Sequence, residues 1–254
     1  KPLRFASLGS GSKGNSTVVE AGDTLIMIDC GFSLRETVKR LARLGIDPAQ
    51  LDGILVTHEH TDHSSGVASL SKKFNIPVHL THGTYASGRC DKAFEYRRFN
   101  CHEEFSIGCM SVQPVAVPHD AREPCQFRLT HGSLSLGVLT DLGSITPHVV
   151  SSYAKCDGLL LEFNHDQQML RDGAYPHQLK RRVGGDWGHL NNHQAARLLE
   201  QINHANLRQL VVAHISEKNN SRELAELALG SVLPSMDRVT WAEQGFGFDW
   251  LELA

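Results

Sequence analysis

The sequence predicts an α/β fold of four layers, αββα: two β-sheets packed face to face, with helices on both outer surfaces. Three observations predict it. Short apolar runs recur along the chain between turn-forming residues, as buried strands do. They gather into two β-rich regions, one near the start and one in the middle. Segments of helical period lie between and after them, so each sheet has material to cover its outer face.

The elements follow in order. Residues 4–8, 17–20 and 25–28 read as strands, with the polar turn segment 9–16 between the first two. Residues 34–44 carry apolar side chains at Leu34, Val38, Leu41 and Leu44, a helical period. A buried strand at 54–56 runs into Thr57-His58-Glu59-His60-Thr61-Asp62-His63, followed by a helix to residue 74 and a strand at 78–80. The middle holds strands at 110–117, 126–129, 133–139 and 159–161. After a polar, basic stretch at 171–188 comes a helix capped by Asn191 or Asn192, its inner face formed by Ala195, Leu198, Leu199 and Ile202. A strand at 210–213, a helix at 221–229 and two closing strands complete the chain. No repeat, low-complexity tract or linker interrupts it, so residues 1–254 are expected to form one domain.

Composition narrows the function. A net charge of −3 does not mark the whole chain as a nucleic-acid binder, although a local basic strip would suffice. No apolar run is long enough to span a membrane, and no charged-then-apolar leader opens the chain, so a soluble, cytoplasmic protein with no membrane partner is expected. The six cysteines are scattered without a CxxC pair, as reduced thiols would be. The 15 histidines are an unusual share, and they point to imidazole chemistry.

The densest signal is His58-x-His60-x-Asp62-His63, four potential ligands at the end of a buried strand. A tight turn there would let His58 and His60 face one metal and Asp62 and His63 a second. Imidazole and carboxylate suit zinc, manganese or iron rather than calcium. Asp29, His119, Asp141 and His214 each follow an apolar run, where a strand delivers its last residue to the sheet edge.

With these motifs, nearly the whole chain resembles the metallo-β-lactamase superfamily. The resemblance implies two divalent metal ions, with His58, His60 and His119 on the first, Asp62, His63 and His214 on the second, and Asp141 bridging. It gives Asp29 the part of a buttress for the histidine loop, against the simpler reading of a turn or cap. The Asp62-His63 pair departs from the antibiotic-hydrolysing branch and favours the hydrolase and nuclease branches. The stretches 10–17, 162–166, 175–176, 188–192 and 214–220 look like the YycJ/WalJ (VicX) subfamily, with Asn191 where that group more often has Ser. That resemblance implies a 5′→3′ DNA exonuclease linked to mismatch repair, with zinc or manganese, or else iron, as cofactor. A homodimer is common on this fold. A small-molecule cyclic phosphodiesterase, an RNA-processing nuclease and a non-catalytic metal-binding regulator are the alternatives.

Asp62 and His189 are the candidate catalytic residues. His189 would protonate the leaving oxygen, tuned by Glu162, His165 or Asp166; a capping or packing histidine is the other reading. Ser10, Ser12, Asn15, Asn219 and Asn220 would seat a terminal phosphate, or simply shape turns. Lys180, Arg181 and Arg182, with Arg171, would neutralise backbone phosphates, or form a solvated helix face. Trp187 would stack on a base, although a core position is the commoner fate of tryptophan.

Overall fold

The computed structural model describes residues 1–253, and the chain builds one sheet before it starts the other. The first part contains β1 (Arg4–Gly9), β2 (Ser16–Ala21), β3 (Thr24–Ile28), α1 (Leu34–Arg43), β4 (Gly53–Leu55), α2 (Thr61–Ser64), α3 (Val67–Phe74), β5 (Pro77–Thr81), α4 (His82–Ala86) and β6 (Glu95–Phe99). The second contains β7 (Phe105–Ile107), β8 (Met110–Ala116), β9 (Cys125–His131), β10 (Leu134–Leu139), α5 (Pro147–Tyr153), β11 (Gly158–Glu162), α6 (Gln167–Asp172), α7 (His177–Gly184), α8 (Asn192–Ile202), β12 (Gln209–Ala213), α9 (Arg222–Leu229) and β13 (Val239–Trp241). A last strand, β14 (Phe248–Glu252), returns to pair with β1. The sheets have seven strands each, ordered β14-β1-β2-β3-β4-β5-β6 and β13-β12-β11-β10-β9-β8-β7.

Alternation along the strands makes the layers. Successive side chains point to opposite faces, so a strand covered on both sides is apolar throughout. Ile26 and Ile28 of β3 face Phe127, Val138, Leu160 and Val211 of the other sheet, forming the central core. Leu25 and Met27 point outward and pack with Leu41 of α1 and Val67 and Leu70 of α3. On the far side, Leu159 and Leu161 of β11 and Leu210 and Val212 of β12 meet Val149 of α5, Leu198 and Leu199 of α8, and Ala225 of α9. The fold is therefore the four-layer αββα sandwich that the sequence predicts. No helix among the described residues is long and apolar enough to cross a membrane.

Several elements depart from the expectation, each for a physical reason. The helix to residue 74 is two helices, because Gly66 turns the chain against Phe32, where a Cβ would lie 1.9 Å from the Phe32 carbonyl oxygen. Strands β6 and β7 went unforeseen: both are sheet edges, and β6 carries the exposed Arg97 and Arg98, charges that protect an open edge but erase the apolar signature. The basic stretch at 171–188 contains α7, whose residues are all at least partly exposed, so no apolar period marks it. Asn191 caps α8 through a capping box with Gln194, while Asn192 instead pairs with Asn220.

Strand direction places the chemistry. β3 and β4 are parallel neighbours, as are β10, β11 and β12, and their carboxyl ends open at a common edge. Asp29, the 57–63 loop, Asp141, Glu162 and His214 all follow from those ends. Gly31 brings the segment after β3 close to the loop: a Cβ there would stand 1.8 Å from the Asp62 carbonyl oxygen.

Candidate metal centre

Two residues turn out of their strands through left-handed backbone, Asp29 at φ 59° and His214 at φ 52°. Such conformations are costly for residues other than glycine, and they persist where surrounding bonds fix them. Asp29 is so fixed. Its Oδ1 accepts from Thr57 N–H at 2.8 Å, and its Oδ2 accepts from Thr57 Oγ1 and lies 2.7 Å from His63 Nδ1. The carboxylate therefore holds both ends of the histidine loop, rather than capping a helix. His214 N–H donates to Ser10 Oγ at 2.8 Å.

The histidine rings converge from different elements. His58 and His60 lie 4.5 Å apart between ring centroids, His58 and His119 4.8 Å, and His60 and His119 5.0 Å. The ligand atoms of these three lie within 4.8 Å of one another, as do those of Asp62, His63 and His214, and those of His58, His63 and Asp141. Asp141 also groups with Glu162, His189 and His214. Its Oδ1 is 3.7 Å from His119 Nε2 and 3.5 Å from His214 Nε2, and its Oδ2 is 3.1 Å from His63 Nε2. It thus lies between the two histidine sets.

His58 Nε2, His119 Nε2, His214 Nε2 and Asp141 Oδ2 are buried with no hydrogen-bond partner. An orphaned buried polar atom costs about 1–3 kcal/mol, so four at one point call for a shared partner. The opposite ring nitrogens are engaged: His58 Nδ1 with Thr57 Oγ1 at 2.9 Å, His119 Nδ1 with the Gly188 carbonyl at 2.9 Å, and His214 Nδ1 near Asn164 Nδ2 at 3.3 Å. An Nδ1–H held by an acceptor, as at His119, leaves the Nε2 lone pair for a cation. Burial and neighbouring imidazoles depress His58 well below the ordinary histidine range, and burial holds His119 down at about 4, so both offer neutral nitrogens. Burial opposes charge on His63, yet Asp141, Asp62 and Asp29 raise its imidazole well above that range. A cluster with that negative potential favours a cation. The donor set of imidazoles and carboxylates fits divalent metal ions.

His189 stands beside this cluster, its ring 5.2 Å from both His119 and His214. Its Nδ1 lies 2.6 Å from Glu162 Oε2. Burial alone would lower its pKa, but Glu162, with Asp141 and Asp62 beyond, pushes it up to about 9. Of Glu162, His165 and Asp166, it is Glu162 that engages this ring. Asp166 instead caps α6 by accepting from Met169 N–H, and His165 Nδ1 bonds Asn164 Oδ1, so neither hydrogen-bonds His189.

A cavity of about 570 Å³ opens over the centre, lined among others by Ser12, Asp62, Asp141, His189, Arg182 and Asn219. The five turn residues divide here. Ser12 and Asn219 line the cavity, and Asn219 Nδ2 is a buried donor with no partner. Ser10, Asn15 and Asn220 do not: Ser10 holds His214, Asn15 bonds Gly11 and Asp62, and Asn220 bonds Asn192 and the Phe163 carbonyl. Their amides and hydroxyls are spent on the loops that carry the site. Arg182 lines this cavity and pairs with Asp120. Lys180, Arg181 and Arg171 line a second cavity of about 500 Å³ across α7, with His165 and His177 and no carboxylate. Trp187 is exposed, not core. Asp120 and Asn164 escaped the sequence reading; Asp120 directly follows His119, but nothing local distinguishes Asn164.

The family model described as Beta-lactamase superfamily domain matches residues 24–215. The chain is 30% identical to the exodeoxyribonuclease WalJ of Streptococcus pneumoniae serotype 2 (strain D39 / NCTC 7466), over 98% of this chain and 92% of that protein. It is 31% identical to the exodeoxyribonuclease YycJ of Bacillus anthracis, over 96% of this chain and 91% of that one. In fold it resembles the crystal structure of the metallo-β-lactamase fold protein YhfI from Bacillus subtilis, with a TM-score of 0.76 and 18% identity over 99% of this chain and 100% of that one. A family match across most of its length, borne on a four-layer frame, makes this chain a member of the metallo-β-lactamase superfamily.

Proposed function

We propose that this protein is a metal-dependent hydrolase of phosphodiester bonds, a DNA exonuclease that digests from the 5′ end in the cytoplasm, in a pathway such as mismatch repair. The observation that carries the chemistry is the convergence of four orphaned ligand atoms beside the His189–Glu162 pair. The choice of DNA rests on the likeness, across nearly the whole chain, to two proteins named exodeoxyribonucleases. The free thiols suit a reducing compartment.

In this reading His58, His60 and His119 would hold one ion and Asp62, His63 and His214 a second, with the Asp141 carboxylate available to both. Two such ions, of zinc, manganese or iron, would supply Lewis acidity toward phosphoryl oxygens and a water of lowered pKa. The chain's own residues do the rest. Asp62, kept ionised against burial by His63 and His214, presents an acceptor to the attacking water. Glu162 accepts from His189 Nδ1–H, leaving Nε2–H as the proton to be delivered. As the P–O bond to the terminal nucleotide's 3′ oxygen breaks, that oxygen takes the Nε2 proton and leaves as an alcohol. Asn219 Nδ2 and Ser12 Oγ donate to the 5′-terminal phosphate. Lys180, Arg181 and Arg171 neutralise phosphates farther along the strand.

The direct test is digestion of a DNA duplex labelled at either end, with and without a 5′-phosphate, in manganese or zinc. Stepwise loss from the 5′ end, absent in Asp62→Ala/His63→Ala, is expected; brisk hydrolysis of bis-p-nitrophenyl phosphate with no DNA cleavage would move the function to small esters. His189→Ala should keep its metal content and lose roughly 100-fold or more in kcat; metal content and kcat both unchanged would remove the proton donor. Asn219→Ala should erase preference for 5′-phosphorylated ends while its melting temperature holds. Asn220→Ala, which leaves buried Asn192 unpaired, should instead cost about 1–3 kcal/mol of stability, read by denaturant unfolding. Replacing Lys180 and Arg181 by glutamine should flatten the fall of DNA affinity with salt by about 0.7–0.9 per charge removed, on a log–log plot. An unchanged slope would return both to a solvated helix face.

A further inference from the structure

Three tryptophans are present, and two are accounted for by the fold. Trp250 lies under the Arg4 guanidinium at 4.2 Å and donates its Nε1–H to the Leu44 carbonyl, and Trp241 lies under Arg222 at 4.8 Å. Trp187 is 64% exposed, and among the described residues no ring, guanidinium or hydrogen-bond acceptor engages its indole. Exposing so large an apolar ring to water carries a cost that folding does not recover.

Its backbone segment, by contrast, is held by several hydrogen bonds. The Trp187 carbonyl accepts from Asp120 N–H at 2.9 Å, and Gly188 N–H donates to the Gly185 carbonyl at 3.0 Å. Ser144 Oγ donates to the Asp186 carbonyl at 3.1 Å, and a Cβ on Gly143 would lie 2.3 Å from that same oxygen. The Gly188 carbonyl accepts from His119 Nδ1, and His189 N–H donates to the Val183 carbonyl. A free indole thus sits on a rigid segment whose next residues are Gly188 and His189, both lining the cavity. Arg89 and Arg182 line the same cavity, Arg182 paired with Asp120, beside the carboxylates of Glu59, Asp62 and Asp141.

We propose that Trp187 is a stacking platform for the nucleobase of a nucleotide flanking the scissile phosphodiester. Every base offers a π-face, so such a platform holds a strand end in place without reading sequence. It acts as a positioning residue: with the base stacked, the phosphodiester is set against His189, two residues along the same pinned segment. The proposal rests on the nuclease reading given above.

The test measures kcat/KM of the metal-loaded enzyme on 5′-phosphorylated single strands. One strand bears all its bases, and two others carry an abasic residue at one or the other nucleotide flanking the first scissile bond. Trp187→Ala should lose about 5- to 100-fold on the complete strand, mainly through KM, and Trp187→Phe should retain most of the activity. One abasic strand should lower the wild-type value by a similar factor, and Trp187→Ala should add nothing on it, a non-additivity that a merely structural role would not produce. Equal losses on all three strands, or no loss on any, would overturn the platform. If the wild-type enzyme cleaves no DNA at all, the nuclease reading falls and the platform with it; wild-type cleavage with an indifferent Trp187→Ala removes the platform alone.

Discussion

The buried carboxylate of Asp29 is the interaction on which the rest of the site depends. It stands at the carboxyl end of β3, on left-handed backbone, and binds Thr57 twice and His63 once. Burial pushes its pKa up, and the donors aimed at it from Thr57 and His63 work against that shift. Without that anchor, four ligand candidates within one short loop would have no reason to face inward. Glu162 does the corresponding work on the other sheet. It ends β11, accepts from the N–H groups of Leu142 and Leu190, and lies 2.6 Å from the ring of His189. Each sheet therefore ends in one buried acid that fixes the loops of its half.

Such acids are tolerable because the frame beneath them is rigid. Strands apolar on both faces bind two sheets and two helical layers into three contiguous cores. Close packing of that kind resists small displacements, and candidate ligands at strand ends inherit its precision. The same rigidity extends to the segment 185–189, which carries a cavity wall, an exposed indole and the imidazole paired with Glu162.

The polar side chains around the site fall into two groups that chemistry alone does not separate. Ser10, Asn15 and Asn220 support loops, whereas Ser12 and Asn219 line the cavity. Asn219 and Asn220 are neighbours in the chain and both are buried, yet one amide is satisfied on both atoms and the other keeps an unpartnered donor. An unpartnered buried donor is costly unless a ligand meets it, and this sets Asn219 apart from Asn220.

By itself the sequence determined the layering and the ligand types. The unbroken apolar runs at 25–28, 159–161 and 210–213 are a local property, and so is the spacing of His58, His60, Asp62 and His63; both are legible because each lies within a few consecutive residues. Edge strands β6 and β7 and the exposed helix α7 were not legible, since an element that buries little carries little apolar pattern. Tertiary structure alone decided that Glu162, rather than His165 or Asp166, holds His189, that β14 crosses back to the first sheet, and that Trp187 faces water. In the first two cases the deciding partner lies far along the chain: Glu162 meets His189 from 27 residues away, and β14 pairs with β1 from the opposite end of the sequence. Periodicity reports which face of an element is buried, but which donor meets which acceptor is fixed only when the sheet edges close on one another.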